Sequence, residues 1–157
     1  MADFEAFPDG VSFGFLHSLL PDFRMKFMVL IYNDPELLEA VPQREFDETM
    51  RGCIEHADEL QDQGYLLESQ QLEPPSTARS IRVRNGKTTM VDGPFSETKE
   101  VLGGFNLIEA ENIDEAMRIA ASFPWADTGC IEVRPVRDIS AVAKRVGAQR
   151  APASARR

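Results

Sequence analysis

The sequence predicts one small α+β domain of ferredoxin-like order, an antiparallel sheet with two helices on one face. Three observations predict it. Lys26 to Tyr32 (KFMVLIY) is a continuous apolar run ended by Asn33-Asp34-Pro35. Gln43 to Gln63 carries a single apolar stripe at helical spacing. Asn85-Gly86 stands between two alternating segments, which is the strongest short-range signal for a hairpin.

The first run is long enough for a strand, and its β-branched and apolar content fits one covered on both faces. Asn33 to Pro42 reads as a loop, or a loop with one helical turn. In the helix that follows, Phe46, Met50, Cys53, Ile54, Ala57 and Leu60 make the stripe. Acidic side chains dominate the other face, and Gly64 is the stop. Tyr65 to Ser69 starts a second strand, and Glu73-Pro74-Pro75-Ser76 breaks it. The hairpin spans Ser80 to Arg84 and Lys87 to Val91. Phe105 to Ala110 is the next strand. Asn112 caps a second helix bearing Ile113, Ala116, Met117 and Ala120 on one side. Phe123-Pro124-Trp125 ends it, and Cys130 to Val136 is the last strand.

Two βαβ halves around a hairpin give a sheet with helices on one face. The first strand is apolar on both faces, and an apolar surface left in water costs about 25 cal/mol per Å². Stacking that face on a second copy removes the cost. A homodimer is therefore expected, with light scattering as its check.

At 157 residues and 43% apolar content, the chain is one domain's worth of protein. The expected limits are residues 1–24 as an extension, 25–138 as the domain and 139–157 as a basic, disordered tail. Val11 to Leu20 is apolar but short. It holds His17, lacks a preceding basic residue and has no good cleavage site, so no secretory signal is expected. Met25 is an alternative start. No run is long enough to cross a membrane. Cys53 and Cys130 lie among apolar neighbours and read as reduced, buried thiols, with the cytoplasm as the default location. Lys144 to Arg157 holds five cations and no acid, so the chain's net −9 becomes −14 without it. Such a body repels phosphate backbones, and nucleic acid is not an expected partner, the basic tail being the one alternative.

The least generic segment is Val91 to Gly104 (VDGPFSETKEVLGG). Asp92-Gly93-Pro94 forces a tight turn, and Phe95 is placed to anchor the loop. One reading is a solvated turn. The other is a polar pocket: Asp92 as general base or metal ligand, Lys99 as anion partner, Glu97 or Glu100 as its orienting carboxylate. Arg134 shares a strand face with Glu132. It reads either as half of a cross-strand ion pair or as a holder of an anionic substrate, with Arg82 on the hairpin as a weaker candidate of the same kind. His56 reads as a surface residue and Cys53 as a structural thiol. A Cys53–His56 pair lacks further ligands at zinc spacing, so no metal is expected. No phosphate loop, Ser-His-Asp pattern or dinucleotide fingerprint occurs, and no cofactor is expected.

Asp92-Gly93-Pro94-Phe95, running on through Ser96-Glu97-Thr98-Lys99-Glu100 to Gly103-Gly104-Phe105, resembles the signature of the DGPF branch of the YCII-related family. The closing Glu132-Val133-Arg134-Pro135-Val136 is similar to the same branch. The resemblance covers about Met25 to Val136 and implies a dimeric α+β barrel. It implies little about chemistry, although some relatives resemble small-molecule enzymes, among them a dechlorinase of hydroxylated aromatics. Better-known members carry a His–Asp pair, whose His falls near Cys53 here, so that mechanism does not carry over. What remains is a dimer with a pocket for a small polar molecule, or a non-catalytic module that engages a partner protein.

Overall fold

The computed structural model describes residues 24–94 and 98–148; residues 1–23, Phe95, Ser96, Glu97 and residues 149–157 lie outside the described residues. Six strands form: β1 (Met25–Asn33), β2 (Leu66–Gln71), β3 (Arg79–Arg84), β4 (Lys87–Asp92), β5 (Val101–Ala110) and β6 (Gly129–Pro135). Four of them make an antiparallel sheet of order β2-β5-β1-β6, the ferredoxin-like arrangement. The hairpin β3–β4 stands apart as a two-stranded sheet. The helices are α1 (Pro35–Ala40), α2 (Gln43–Asp62), α3 (Ile113–Ala121) and α4 (Ser140–Arg145).

Strand alternation sorts β1 cleanly. Phe27, Val29 and Ile31 are buried and face α2 and α3 with Ile108 and Ala110 of β5. Leu60 of α2, Ala116 and Ala120 of α3, and Phe123 complete this core. Of the stripe read from the sequence, Leu60 is buried and Cys53 and Ala57 pack against the core, while Ile54 is 56% exposed. The opposite sheet face carries Met28, Leu30 and Tyr32 beside Phe105 and Leu107, all half-buried. Glu132 and Arg134 flank this apolar strip on one side and Gln70 on the other.

Local signals end each element. The Gly64 amide donates to the Gln61 carbonyl and the Tyr65 amide to the Leu60 carbonyl, with Gly64 at φ +77°. That pair of bonds is the Schellman stop, which needs a left-handed residue. Asn112 caps α3 by accepting from the Glu115 amide at 2.9 Å. In the β3–β4 turn Asn85 and Gly86 both take positive φ, 51° and 73°. This backbone twist matches that of the flanking strands.

Two expectations need correction. Cys130 is exposed, not buried, because its position in β6 lies on the open sheet face beside Tyr32; Cys53 is half-buried. The segment after residue 138 does not begin as an irregular tail. The Asp138 carboxylate accepts from the Ser140 amide and hydroxyl, and α4 starts there. No helix of the described residues is long and apolar enough to cross a membrane.

Candidate functional site

Between α2 and the inner sheet face lies a cavity of about 460 Å³. That is within the range of small-molecule sites. Phe46, Met50, Cys53 and Ala57 of α2 roof it, and Trp125 and Phe123 close one end. The rings of Phe46 and Trp125 meet at a tilt, 6.2 Å between centroids. The floor is Ile31 and Asn33 of β1 with Gly104 and Asn106 of β5.

Asn106 is the unusual floor residue. Its strand alternates Gly104, Asn106, Ile108 and Ala110 toward the core, and it pairs with Val29 on one side and Ser69 on the other. It is 2% exposed, yet its side-chain amide has no hydrogen-bond partner among the described residues. Asn106 opens onto the cavity. The fully shielded side-chain atoms without a partner among the described residues are Thr128 Oγ1 and Asn33 Oδ1, and shielded polar atoms left unpaired cost free energy. Gly103 permits this placement, since a Cβ there would stand 2.2 Å from Asn33 Nδ2.

Cys53 lines the cavity. Burial pushes its thiol pKa up, and a hydrogen bond with Trp125 only partly opposes that. The group is a neutral thiol rather than a ready nucleophile. His56, one turn on, does not join it. Its Nε2 lies 2.7 Å from Ser122 Oγ, whose own proton goes to the Ile119 carbonyl, so the ring donates. With Phe123 edge-on at 5.4 Å, His56 ties α2 to the end of α3.

The residues singled out from the sequence do not share one cluster of contacts. Asp92 ends β4 and pairs with Arg79 at 3.3 Å, both side chains over 80% exposed. Lys99 turns to Asp34 instead, at 3.1 Å. Arg134 pairs with Glu132 of its own strand at 2.6 Å, not across strands. Arg82 lies on the hairpin and Glu100 in the loop before β5, both exposed. Phe95 and Glu97 lie outside the described residues. Gly93 takes φ +98°, and its amide bonds the Ala78 carbonyl at 2.7 Å, so the tight turn closes the hairpin base.

Asp34 is the site residue that the sequence reading missed. It is 3% exposed and caps α1 through the Glu36 amide. Burial raises its carboxyl pKa, but the Lys99 bond, the Glu36 amide and the Lys99 charge outweigh burial and hold it below the ordinary value. Its neighbour Asn33 lines the cavity, so the Lys99–Asp34 pair flanks the floor. Asp-Pro at a strand end was the available signal, since it marks a helix start. Among the described residues no group of three or more His, Cys, Asp or Glu is placed to hold a metal ion.

Comparison with known proteins follows this geometry. The family model for the YCII-related domain matches residues 25–140. An uncharacterized protein of Rhizobium meliloti (strain 1021) is 37% identical over 114 residues, covering 71% of this chain and 92% of the relative.

Proposed function

The chain belongs to the YCII-related family, and from that premise we propose that it binds a small, largely apolar molecule in the cavity beneath α2. One observation carries this reading: the amide of Asn106, without a side-chain hydrogen bond among the described residues, opens onto a cavity walled by Phe46, Trp125 and Cys53. A ligand carbonyl or hydroxyl would complete Asn106, and a flat apolar body would fill the aromatic end. The one charged side chain that the lining directs to the cavity is Asp58, since Glu68 turns its carboxylate to the Gln70 amide on the open sheet face, and no cation is among the lining residues. The ligand class is thus uncharged or cationic. This replaces the anion holder suggested by Arg134 and Lys99 alone.

We further propose a homodimer that joins through the open sheet face. Met28, Leu30, Phe105 and Leu107 support it, a half-buried apolar strip on the sheet face turned away from the core. A reducing, cytoplasmic setting suits the two free thiols.

The test is a metabolite screen by thermal shift on the wild type, repeated on Asn106→Leu and on Lys99→Ala. Ligands that stabilise the wild type and the Lys99 variant but not Asn106→Leu support the cavity. Hits lost only in Lys99→Ala move the site to the loop. The specific observation behind that second reading is the contact of Lys99 with buried Asp34 beside the cavity floor.

A further inference from the structure

The hairpin β3–β4 has two unlike faces. Ile81, Val83 and Met90 share one and are 68%, 53% and 73% exposed. Arg82, Arg84 and Lys87 share the other with Val91, while the Arg79–Asp92 pair lies at the end of the apolar face. Among the described elements the hairpin packs substantially only on itself. A lone two-stranded hairpin is marginal in water, and an apolar face of this kind marks an interaction surface.

A matching surface exists on the same chain. The rim of the cavity is formed by the lining residues that reach solvent, and it is apolar and acidic together. Ile54 is 56% exposed and Leu67 38%, with Asp58 beside them. Around Asp58, the outer face of α2 adds Glu55, Glu59 and Asp62, all exposed. The hairpin has four cations, Arg79, Arg82, Arg84 and Lys87, against one carboxylate, Asp92. Packing one hairpin on another would bring those cations together, whereas the rim attracts them.

We infer that the hairpin of one copy lies across the cavity mouth of a second copy. Ile81, Val83 and Met90 cover Ile54 and Leu67, and the long arginine stems of Arg82 and Arg84 reach round the strand edge to the α2 carboxylates. The ligand site is then complete only in the dimer, with the hairpin as its lid. This rests on the dimeric cavity reading above.

The experiment is amide hydrogen exchange of the full chain, at high and low protein concentration, with mass measured by light scattering in parallel. Wild type is compared with Ile54→Arg and with Arg82→Glu/Arg84→Glu, all surface changes that leave the core intact. The expected result is slowed exchange of residues 79–92 in the wild-type dimer, lost on dilution and lost in both variants. A dissociation constant raised on the order of tenfold should accompany it. Combining Asp58→Lys with Arg82→Glu/Arg84→Glu should restore part of the protection. A wild type that is monomeric at micromolar concentration overturns the dimer and the lid together. A dimer whose hairpin exchanges alike in wild type and Ile54→Arg overturns the lid and leaves the dimer standing. Protection of the hairpin in a monomer, or only after addition of another acidic protein, also overturns it.

Discussion

The ammonium of Lys99 lies 3.1 Å from Oδ2 of Asp34, joining a side chain that is 78% exposed to one that is 4% exposed. The pair links the loop before β5 to the start of α1.

Asp34 has a carboxyl pKa lowered in the fold, so it stabilises the native state above the unfolded carboxylate value of about 3.9. That contribution is lost as pH falls through the lowered native value. Lys99→Met should lower the melting temperature at neutral pH and move acid unfolding to higher pH. The two proteins should converge once Asp34 is protonated. Thermal unfolding followed from neutral pH down into the acid limb checks this. Parallel curves over the whole range would show that the pair contributes nothing.

Asn106→Leu should trade binding for stability. It puts an apolar side chain of similar size where an amide opens onto a cavity, and such filling typically favours the fold by about 0.5 to 2 kcal/mol. Denaturant unfolding should show a higher midpoint with an unchanged slope, while ligand stabilisation disappears. A variant less stable than wild type would mean that the amide has a partner.

The glycines at the site end of the sheet should rank by what a methyl group would strike. At Gly129 a Cβ would stand 1.9 Å from the Tyr32 carbonyl oxygen, which is backbone. At Gly103 it would meet the movable Asn33 amide. Gly129→Ala should cost about 3 kcal/mol or more, and Gly103→Ala clearly less. Chemical denaturation of both variants gives the ranking directly.

The thiols should separate by access. Cys130 is exposed and Cys53 is half-buried with a raised pKa. A chromogenic disulfide reagent near neutral pH should label one thiol fast and one slowly. Cys130→Ser should abolish the fast phase. A cavity ligand should slow only the other.

Much of the fold was legible because its signals are local. The α2 stripe, the Gly64 stop, the Asn112 cap and the Asn85-Gly86 turn each act within a few residues. The open apolar face followed from β1 alone. The site was not legible in the same way. Asp34 reads as a loop residue until Thr128 accepts from its amide at 2.9 Å and Lys99 covers it, contacts that span most of the chain. Asn106 left a fainter trace: a polar residue at a core-facing place in an alternating strand. The motif loop drew attention through its density of charge, yet Asp92, Lys99 and Arg134 each settle on a different partner.

The ladder between β1 and β5 skips a residue. Ile31 pairs with Gly104 and Tyr32 with Leu102, so Gly103 bulges out. A bulge of this kind reverses which side each later position points to. The two halves of β5 therefore obey separate phase rules: the stretch from Gly104 onward is pinned by the interior, while Val101 and Leu102 take their orientation from the skip. Removing Gly103 would straighten the ladder while leaving Leu102 opposite Tyr32 and Val101 opposite Asn33, so both would keep their faces. The inner half of the strand would keep its pattern, and the loop delivering Lys99 would be re-aimed. Length at this one position thus bears on the loop beside the cavity floor, while the register from Gly104 onward holds the interior.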